Sequence, residues 1–399
     1  MATADHDTPL RATLAGLRDL LRPRARLQLA DDERLDGRTA MITGGNRGLG
    51  FAVAEQLARR GARLILACRS GGPEAAAALR AATGNEEIEA LPVDLAERAS
   101  VAALVEALAE REVVLDRLVL NAAVVPLESR TTSAGLDLMF HVNFLAAVDL
   151  VEQLLARGVF RRIAETPTGP CPSGDPQGRM RAGGPPGFAK QNLGGVFRRI
   201  AETPTGPCPS GDPQGRRRAG GPPGFAKQNL GGVFRRIAET PKGPCPARII
   251  VVSSEAHRSG QPQPLDRLGE PEHYGTSGVL ARYGRNKLYL TSYAWALADA
   301  LDPATIGVFT LCPGAVATDL AREAPGWMRV LLDPTMKLLF QSPQRAAEPV
   351  TWLCCARELD GQTKRYFHMH TPKPPAAWAT DPRNGAALRD AARELLTKI

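Results

Sequence analysis

Cysteine spacings that hold metals or build disulfide frameworks are missing from this sequence. Its seven cysteines include no C-x-x-C pair, and Cys171, Cys208 and Cys245 occupy one position in repeated segments. The spacing therefore excludes a zinc site and a disulfide framework, and it favours a reducing compartment. We expect no metal centre.

Long apolar runs are also missing. We find no run of about 18 apolar residues, the length that would span a membrane as a helix. The first ten residues carry two Asp and no apolar core of their own. We therefore expect no transmembrane segment, no secretory signal and a cytoplasmic location.

Residues 8–22 have helical apolar spacing. They place Leu10, Leu14, Leu17 and Leu21 on one helical face. We interpret the segment as a short helix packed on the domain, with peripheral membrane contact as the alternative.

Acidic residues do not balance the basic ones, and the net charge is +8. Residues 158–231 alone hold eleven Lys or Arg against four Asp or Glu, which leaves the rest of the chain near neutrality. A basic patch confined to one segment says little about what the remaining chain binds. We expect no nucleic-acid partner.

That basic segment is a tandem repeat. GVFRRIAETP begins at Gly158, Gly195 and Gly232, at intervals of 37 residues. Each unit has one short apolar cluster and a Pro/Gly-rich stretch that buries little surface, unlike the unit of a solenoid. We interpret residues 158–246 as a recent duplication that forms a mobile, disordered loop. A sequence artefact or a partner-binding module are the alternatives.

Outside the repeat, short apolar runs alternate with amphipathic segments. Helices are predicted at residues 50–61, 100–113, 139–155 and 283–301, and strands at 38–45, 62–70, 86–95, 116–125, 247–254, 306–314 and 365–369. Such alternation is typical of a doubly wound parallel α/β sheet, the Rossmann fold, with three α/β/α layers. The repeat would lie at the edge of the sheet opposite the ligand, away from the chemistry.

The chain is thus expected to form one domain with an insertion. We divide it into an N-terminal extension (1–34), a cofactor-binding first part (35–157), the repeat insertion (158–246), a catalytic second part (247–370) and a C-terminal tail with a short helix (371–399).

A glycine-rich turn follows the first strand and precedes a helix. Glycine lets a backbone approach a pyrophosphate closely, and the helix N-terminus attracts its negative charge. The predicted cofactor contacts in this turn are Thr43, Gly44, Asn46, Arg47, Gly48, Leu49 and Gly50.

The end of the second strand bears on the choice of cofactor. Sheets that bind NAD usually carry an Asp or Glu there for the ribose 2′-hydroxyl. This sequence has Ala67-Cys68-Arg69-Ser70 instead, with no acid. Arg69 and Arg47 are therefore predicted to pair with the 2′-phosphate of NADP(H). Two solvated surface arginines are the alternative.

Tyr283 and Lys287 lie four residues apart on one predicted helix. A nearby ammonium favours a phenolate, so Lys287 is expected to bring the pKa of Tyr283 towards neutrality for acid–base work. An exposed helix pair would be the alternative for such a common spacing. Ser253-Ser254 at the end of the fifth strand favours chemistry, because a hydroxyl there could polarise a carbonyl oxygen.

The order of these motifs resembles the short-chain dehydrogenase/reductase family over Leu35–His370, apart from the repeat. By this resemblance Asp94 is the adenine-side acid, and Asn121 and Ala122 lie at the cofactor end of the fourth strand. The loop beside the nicotinamide contributes Pro313, Gly314, Val316 and Thr318. The chain departs from the family pattern at Leu120, Ala123 and Asn286.

The resemblance implies a catalytic set of Asn143, Ser254, Tyr283 and Lys287. Tyr283 would exchange a proton with the substrate oxygen during hydride transfer, and Ser254 would hydrogen-bond that oxygen. Lys287 would hold the nicotinamide ribose, and Asn143 would position a water that relays protons through Lys287. Tyr283 and Lys287 therefore also count among the cofactor-binding residues.

Further details resemble the retinol-dehydrogenase-like branch of that family. They are Ala-Cys-Arg-Ser at residues 67–70, Ser-Ser-Glu-Ala-His at 253–257 and Lys-Arg-Tyr-Phe at 364–367. This branch implies a small apolar aldehyde, ketone or alcohol as substrate. The apolar stretch Leu320–Phe340 would form a lipophilic pocket or lid, or else packed helices.

Two other functions stay open. One is a non-catalytic NADPH-binding or interaction protein, in which the repeat would serve a partner. The other is an enzyme similar to protochlorophyllide reductase, which the Asn-Ala-Ala-Val segment at residues 121–124 resembles. Pairing into a homodimer is a further open expectation.

Overall fold

A computed structural model describes residues 29–161, 245–275, 278–316 and 341–399. Several predictions lie outside these residues: the amphipathic segment 8–22, nearly all of the repeat insertion, the loop residue Thr318 and the apolar stretch 320–340. They stay predictions, as does the division of the chain into five segments.

The described residues form one eight-stranded sheet in the order β3-β2-β1-β4-β5-β6-β7-β8. All neighbours are parallel except β7 and β8, which are antiparallel. The strands are β1 (Thr39–Thr43), β2 (Arg63–Cys68), β3 (Ile88–Pro92), β4 (Arg117–Leu120), β5 (Ala247–Val252), β6 (Ile306–Cys312), β7 (Arg365–His368) and β8 (Thr371–Pro372). The chain reverses its direction of travel across the sheet after β3, which is the arrangement of a doubly wound fold.

Helices cover both faces of this sheet. They are α1 (Gly48–Arg59), α2 (Gly72–Thr83), α3 (Arg98–Glu110), α4 (Leu138–Ala156), α5 (Val279–Ala300), α6 (Pro343–Cys355), α7 (Ala377–Thr380) and α8 (Pro382–Thr397). Strands β1, β4, β5 and β6 are buried along their whole lengths. Strands enclosed on two faces read as continuous apolar runs, which is why the sequence pattern revealed them.

Side chains of successive strand residues enter two separate cores. Met41 and Leu118 belong to a cluster that α3, α4, α5 and α8 close. Their chain neighbours Ile42 and Val119 belong to a second cluster, closed by α1, α2 and α6. This alternation follows from the two-residue period of a strand. The predicted three-layer Rossmann fold is confirmed.

The predicted helix bounds differ from the observed ones by one to four residues, and two helices depart most from the prediction. Helix α5 begins at Val279 rather than Tyr283, so Tyr283 lies in its second turn. Helix α8 has 16 residues and is longer than the short helix expected in the tail. Leu388 and Ala392 of α8 are fully buried in the same core as α4 and α5, so the tail is packed into the domain.

Helix α4 is long and apolar enough to cross a membrane by length and composition, alone among the helices described. Of its most apolar stretch, 78% is buried inside the protein. Contacts with the sheet and the neighbouring helices account for its apolar character, as expected for a core helix.

The described residues at the two ends of the repeat insertion lie at the amino ends of the strands. Phe160 pairs with Leu115 just before β4, and Cys245 and Pro246 lead directly into β5. The predicted catalytic residues follow the carboxyl ends of the same sheet, so these flanks lie at the opposite edge.

Candidate active site

The glycine-rich turn forms a close-packed corner between β1 and α1. Gly44 has a φ of +65°, and a Cβ on it would lie 3.2 Å from the Ala122 Cα. A Cβ on Gly50 would lie 2.2 Å from the Gly44 oxygen and 2.6 Å from Asn121 Nδ2. Side chains are therefore excluded at both positions, and the turn packs directly against α1 and the end of β4.

Helix α1 starts at this corner with its positive end uncompensated. No side chain caps it, and its first turn holds no acidic residue. Leu49 is buried beneath the turn, whereas Arg47 is exposed in front of it. A helix N-terminus of this kind attracts an anion, which fits the predicted pyrophosphate.

Hydrogen bonds join the ends of β1 and β4 below the turn. Thr43 Oγ1 accepts from the backbone N–H groups of Asn121 and Ala122, at 3.0 and 3.1 Å. In return, Asn121 Nδ2 donates to the Thr43 carbonyl at 2.9 Å. Asn46 Nδ2 donates to the Ser70 carbonyl at 2.8 Å and so links the turn to the end of β2. The predicted residues therefore shape the cradle through one another.

Arg69 lies at the end of β2, where an acid would select NAD. Its side chain is 72% exposed and reaches Asp94 only at 3.8 Å, a distance too long for a hydrogen bond. Asp94 accepts from the Ala96 N–H at 3.0 Å, which fixes its carboxylate beside Arg69. An exposed, loosely held guanidinium at this strand end fits a phosphate partner.

The two serines after β5 have different surroundings. Ser253 is buried, and its Oγ lies 2.8 Å from Thr291 Oγ1, which donates in turn to the Lys287 carbonyl. Ser254 is half-buried, and its Oγ accepts from the Ala256 N–H at 3.2 Å. Ser254 is therefore the more accessible of the two serines, and Ser253 holds β5 against α5.

Tyr283 and Lys287 face the same end of the sheet from α5. Lys287 Nζ lies 5.7 Å from the centre of the Tyr283 ring and donates to the Val252 carbonyl at 2.8 Å. Burial lowers the pKa of Lys287 to about 8. A proton on this amine therefore becomes exchangeable close to neutral pH.

Ser254, rather than the lysine, acts to lower the pKa of Tyr283 in this structure. Burial raises the pKa of Tyr283 above its usual value, and the hydrogen bond with the Ser254 side chain opposes that rise. Lys287 is not among the groups that lower the pKa of Tyr283 in this structure, and its ammonium donates to the Val252 carbonyl instead. In this structure the Tyr283 phenol therefore keeps its proton, as a proton donor must before it reacts.

Asn143 lies in a π-helical segment of α4, His141–Leu145. Its Oδ1 accepts from the Val124 N–H at 2.7 Å, and its Nδ2 donates to the Val124 carbonyl at 2.8 Å. The side chain thus holds the segment after β4 in place. Single π turns of this kind occur often at functional sites.

The predicted nicotinamide loop starts at the end of β6. Gly314 has a φ of +88°, and Val316 pairs with Gln341. Gln341 Nε2 also donates to the Pro313 carbonyl. Thr318 lies outside the described residues, so only Pro313, Gly314 and Val316 of this group can be located.

Three residues that sequence reasoning did not single out surround Ser254. Glu255 accepts from Tyr366 Oη at 2.6 Å, and His257 Nδ1 lies 2.6 Å from the Ser254 carbonyl. His257 and Tyr366 also stack at 5.0 Å between ring centres. Their signals were present in the Ser-Ser-Glu-Ala-His and Lys-Arg-Tyr-Phe segments, but 111 residues separate Glu255 from Tyr366.

Glu255 is a firmly ionised carboxylate. Burial alone would raise its pKa, but the Arg258 and Lys373 cations and the Tyr366 hydroxyl together lower the pKa of Glu255 to about 2. Lys373 Nζ donates at 2.7 Å and Arg258 Nε at 2.9 Å. The Glu255 carboxylate next to Ser254 is therefore balanced by these two cations, and it cannot serve as a base near neutral pH.

Comparison with known proteins agrees with this site. The profile of the short chain dehydrogenase family matches residues 38–161, which contain the glycine turn and Asn143. Dehydrogenase/reductase SDR family member 13 of Bos taurus is 28% identical over 365 residues, covering 90% of this chain and 74% of that protein. Retinol dehydrogenase 13 of Mus musculus is 26% identical over 353 residues, covering 87% of this chain and 80% of that protein.

Among solved structures, an uncharacterised protein from Mycobacterium paratuberculosis has the same fold. The TM-score is 0.56 at 18% identity, over 91% of this chain and 95% of that one. The profile covers the cofactor half, and both relatives extend across the Ser254 and Tyr283 half. The chain is therefore similar to short-chain dehydrogenases in its cofactor half and, over most of its length, to reductases that include a retinol dehydrogenase.

Proposed function

We propose that the protein is an NADP(H)-dependent oxidoreductase that interconverts an apolar aldehyde or ketone and its alcohol, with Tyr283 as the acid–base group. The convergence of Ser254, Tyr283 and Lys287 beside the glycine-rich corner is the observation that carries this proposal. The groups for phosphate binding and those for proton transfer lie at the same edge of the sheet, where ligands of doubly wound folds bind.

The residues present fit an NADP(H) cofactor. Because a Cβ on Gly44 or Gly50 would collide with neighbouring atoms, the turn packs tightly against the start of α1, whose N-terminus would hold the pyrophosphate. Arg47 and Arg69 are exposed in front of it, and the end of β2 has no acid to repel a 2′-phosphate. When bound, the cofactor supplies or accepts the hydride.

The side chains of the chain supply the remaining chemistry. In the reducing direction the Tyr283 hydroxyl gives its proton to the substrate oxygen, while the Ser254 hydroxyl hydrogen-bonds the same oxygen and stabilises its growing charge. Lys287, with its pKa of about 8, replaces the proton on Tyr283. Asn143 keeps Val124 and the segment after β4 in place beside them.

The proposed substrate class rests on the similarity of this chain to retinol dehydrogenases. Relatives named as retinol dehydrogenases cover most of this chain, and retinol is an apolar alcohol. Retinal and other apolar aldehydes and ketones are therefore the first substrates to test. We propose reduction as the direction that an NADPH-selective site serves.

NADPH oxidation over a panel of apolar carbonyl compounds, retinal included, tests the proposal. Tyr283→Phe removes one hydroxyl, and we expect it to lower turnover by about 100-fold or more while NADPH binding is retained. Tyr293→Phe is the matched control on the same helix, because its hydroxyl contacts Glu152 on α4.

Equal turnover by wild type and Tyr283→Phe would rule out the acid–base role. Tight NADPH binding without turnover of any compound would favour a non-catalytic nucleotide-binding protein. Absence of binding to both NADPH and NADH would refute the proposal at its base.

A further inference from the structure

One imidazole links the Ser254 backbone to the C-terminal tail. His257 is fully buried, its Nδ1 lies 2.6 Å from the Ser254 carbonyl, and its Nε2 accepts from the Ala376 N–H at 3.0 Å. Ala376 directly precedes α7 and lies 119 residues further along the chain. The two ring nitrogens therefore join the serine turn to a distant segment.

These two partners determine the tautomer of the ring. A backbone N–H only donates, so Nε2 must keep its lone pair for Ala376. Nδ1 must then carry the hydrogen, which it donates to the Ser254 carbonyl. Since both nitrogens are occupied, the ring has one neutral form that satisfies both contacts.

A second link runs in parallel through Glu255. Its carboxylate accepts from Tyr366 of β7 at 2.6 Å and from Lys373, after β8, at 2.7 Å. Arg258, on the same turn as Glu255, donates to the Pro374 carbonyl at 2.6 Å. The turn at residues 254–259 is thus attached to residues 366–376 at several points, and the partners His257, Glu255, Tyr366 and Lys373 are buried or half-buried.

We propose that His257 and Glu255 are positioning residues, through which residues 366–376 hold Ser254 in the orientation that binds the substrate oxygen. The proposal rests on the proposed function, because it assigns a purpose to Ser254 within that reaction. Neither residue touches the reacting atoms. They act through the Ser254 carbonyl and through the turn that the Ser254 hydroxyl caps.

Two substitutions at His257 each remove one of its two hydrogen bonds. An Asn amide nitrogen takes the place of Nδ1, so His257→Asn keeps a donor for Ser254 and loses the acceptor for Ala376. A Gln amide reaches the place of Nε2, so His257→Gln keeps a partner for Ala376 and loses the donor for Ser254. If the tail acts through the ring, both variants break the connection.

Steady-state turnover of the best panel substrate, with NADPH affinity measured alongside, tests the proposal. We expect both variants to lower kcat by about tenfold, the effect of one lost buried hydrogen bond, with the Kd for NADPH unchanged. His273→Gln is the matched control, because His273 is exposed on the loop before α5. Tyr366→Phe, which removes one hydroxyl from Glu255, should lower kcat several-fold without altering the fold.

A double-mutant cycle separates positioning from general damage. If His257 acts through Ser254, His257→Gln in a Ser254→Ala background should cost far less than in the wild type. Wild-type kcat in His257→Asn would show that the tail is not needed. Additive losses in the cycle, or a weakened NADPH affinity, would also overturn the proposal.

Hydrogen exchange keeps the link testable if the wild type turns over no compound, in which case the proposed reaction itself has failed. We then expect faster amide exchange across residues 253–257 in Tyr366→Phe and His257→Asn. Unchanged exchange in both variants would overturn the link independently of activity.

Discussion

The side-chain amide of Asn143 pairs with both backbone groups of Val124, accepting at 2.7 Å and donating at 2.8 Å. Pairing with both backbone groups of one residue needs an acceptor and a donor on one planar group, which an amide side chain provides. The contact spans 19 residues and fixes the segment after β4 against α4. Asn143 thus shapes the wall of the site.

Replacing Asn143 should therefore damage stability and activity together. Asn143→Ala leaves the N–H and the carbonyl of Val124 unpaired, and we expect a loss of about 2–4 kcal/mol in unfolding free energy. Asn143→Asp keeps the acceptor but repels the Val124 carbonyl, so it should lose nearly as much. Chemical denaturation and turnover, measured on the same samples, check this expectation. Wild-type stability in Asn143→Asp would show that the Val124 carbonyl bond contributes nothing.

Arg69 should determine the preference between the two nicotinamide cofactors. Its guanidinium is 72% exposed and is not held by a short ion pair. A charge-assisted bond to a 2′-phosphate is worth about 1.5–3 kcal/mol, so Arg69→Ala should weaken NADPH binding by about 10- to 100-fold. NADH affinity should stay the same, because NADH lacks that phosphate.

Fluorescence titration of both cofactors measures this preference. Arg383→Ala is the matched control, since Arg383 is exposed on α8, far along the chain from β2. Equal losses for NADPH and NADH would assign Arg69 to a general structural role.

The sheet and the chemistry-bearing residues were predictable because their signals are local. Strands enclosed on both faces produce apolar runs, and the glycine turn and the Tyr283–Lys287 pair each occupy a few consecutive residues. The predicted start of α5 was wrong by four residues, because Gly278 precedes the helix and has no side chain to cap it and mark the boundary. Helix ends are poorly specified by sequence in general.

The contacts that hold the site together could not be read in the same way. Glu255 meets Tyr366 only after the chain has passed β6 and entered β7, and His257 meets Ala376 only after β8. No spacing rule connects residues more than 100 positions apart. The contact between Ser253 and Thr291, 38 residues apart along the chain, was likewise not visible in the sequence pattern.

His257 should make the protein sensitive to acid. Burial lowers the pKa of His257 from 6.5 to about 4. The nearby Arg258 and Lys373 cations also lower this pKa, whereas the Glu255 carboxylate raises it. Between these two pH values the unfolded chain binds more protons than the folded one, so stability rises with pH. Stability contributed by the neutral ring should therefore be lost as the pH falls from about 6.5 to about 4.

Unfolding free energies at several pH values test this sign. The wild type should lose up to about 1.4 kcal/mol per pH unit more than His257→Gln within that window. Above pH 7 the two curves should run parallel. His273→Gln should follow the wild type throughout, and a parallel course of all three proteins in acid would contradict the assignment.

Gly50 and Gly84 offer a matched test of the cofactor corner, because one is sterically enclosed and the other is open. A Cβ on Gly50 would lie 2.2 Å from the Gly44 oxygen, whereas nothing lies within 4 Å of a Cβ on Gly84. Gly84 has a φ of +70°, so Gly84→Ala should cost about 1 kcal/mol of unfolding free energy from backbone strain. Its NADPH affinity should match the wild type.

Gly50→Ala must instead push the turn away from α1. We expect it to weaken NADPH binding by at least tenfold and to lower the melting temperature more than Gly84→Ala does, because backbone atoms cannot move aside as cheaply as a side chain. Titration of NADPH and thermal melts on both variants measure the two effects separately. If Gly50→Ala bound NADPH like the wild type, the glycine turn would not be the place where the phosphates bind, and the cofactor site would have to lie elsewhere along the sheet.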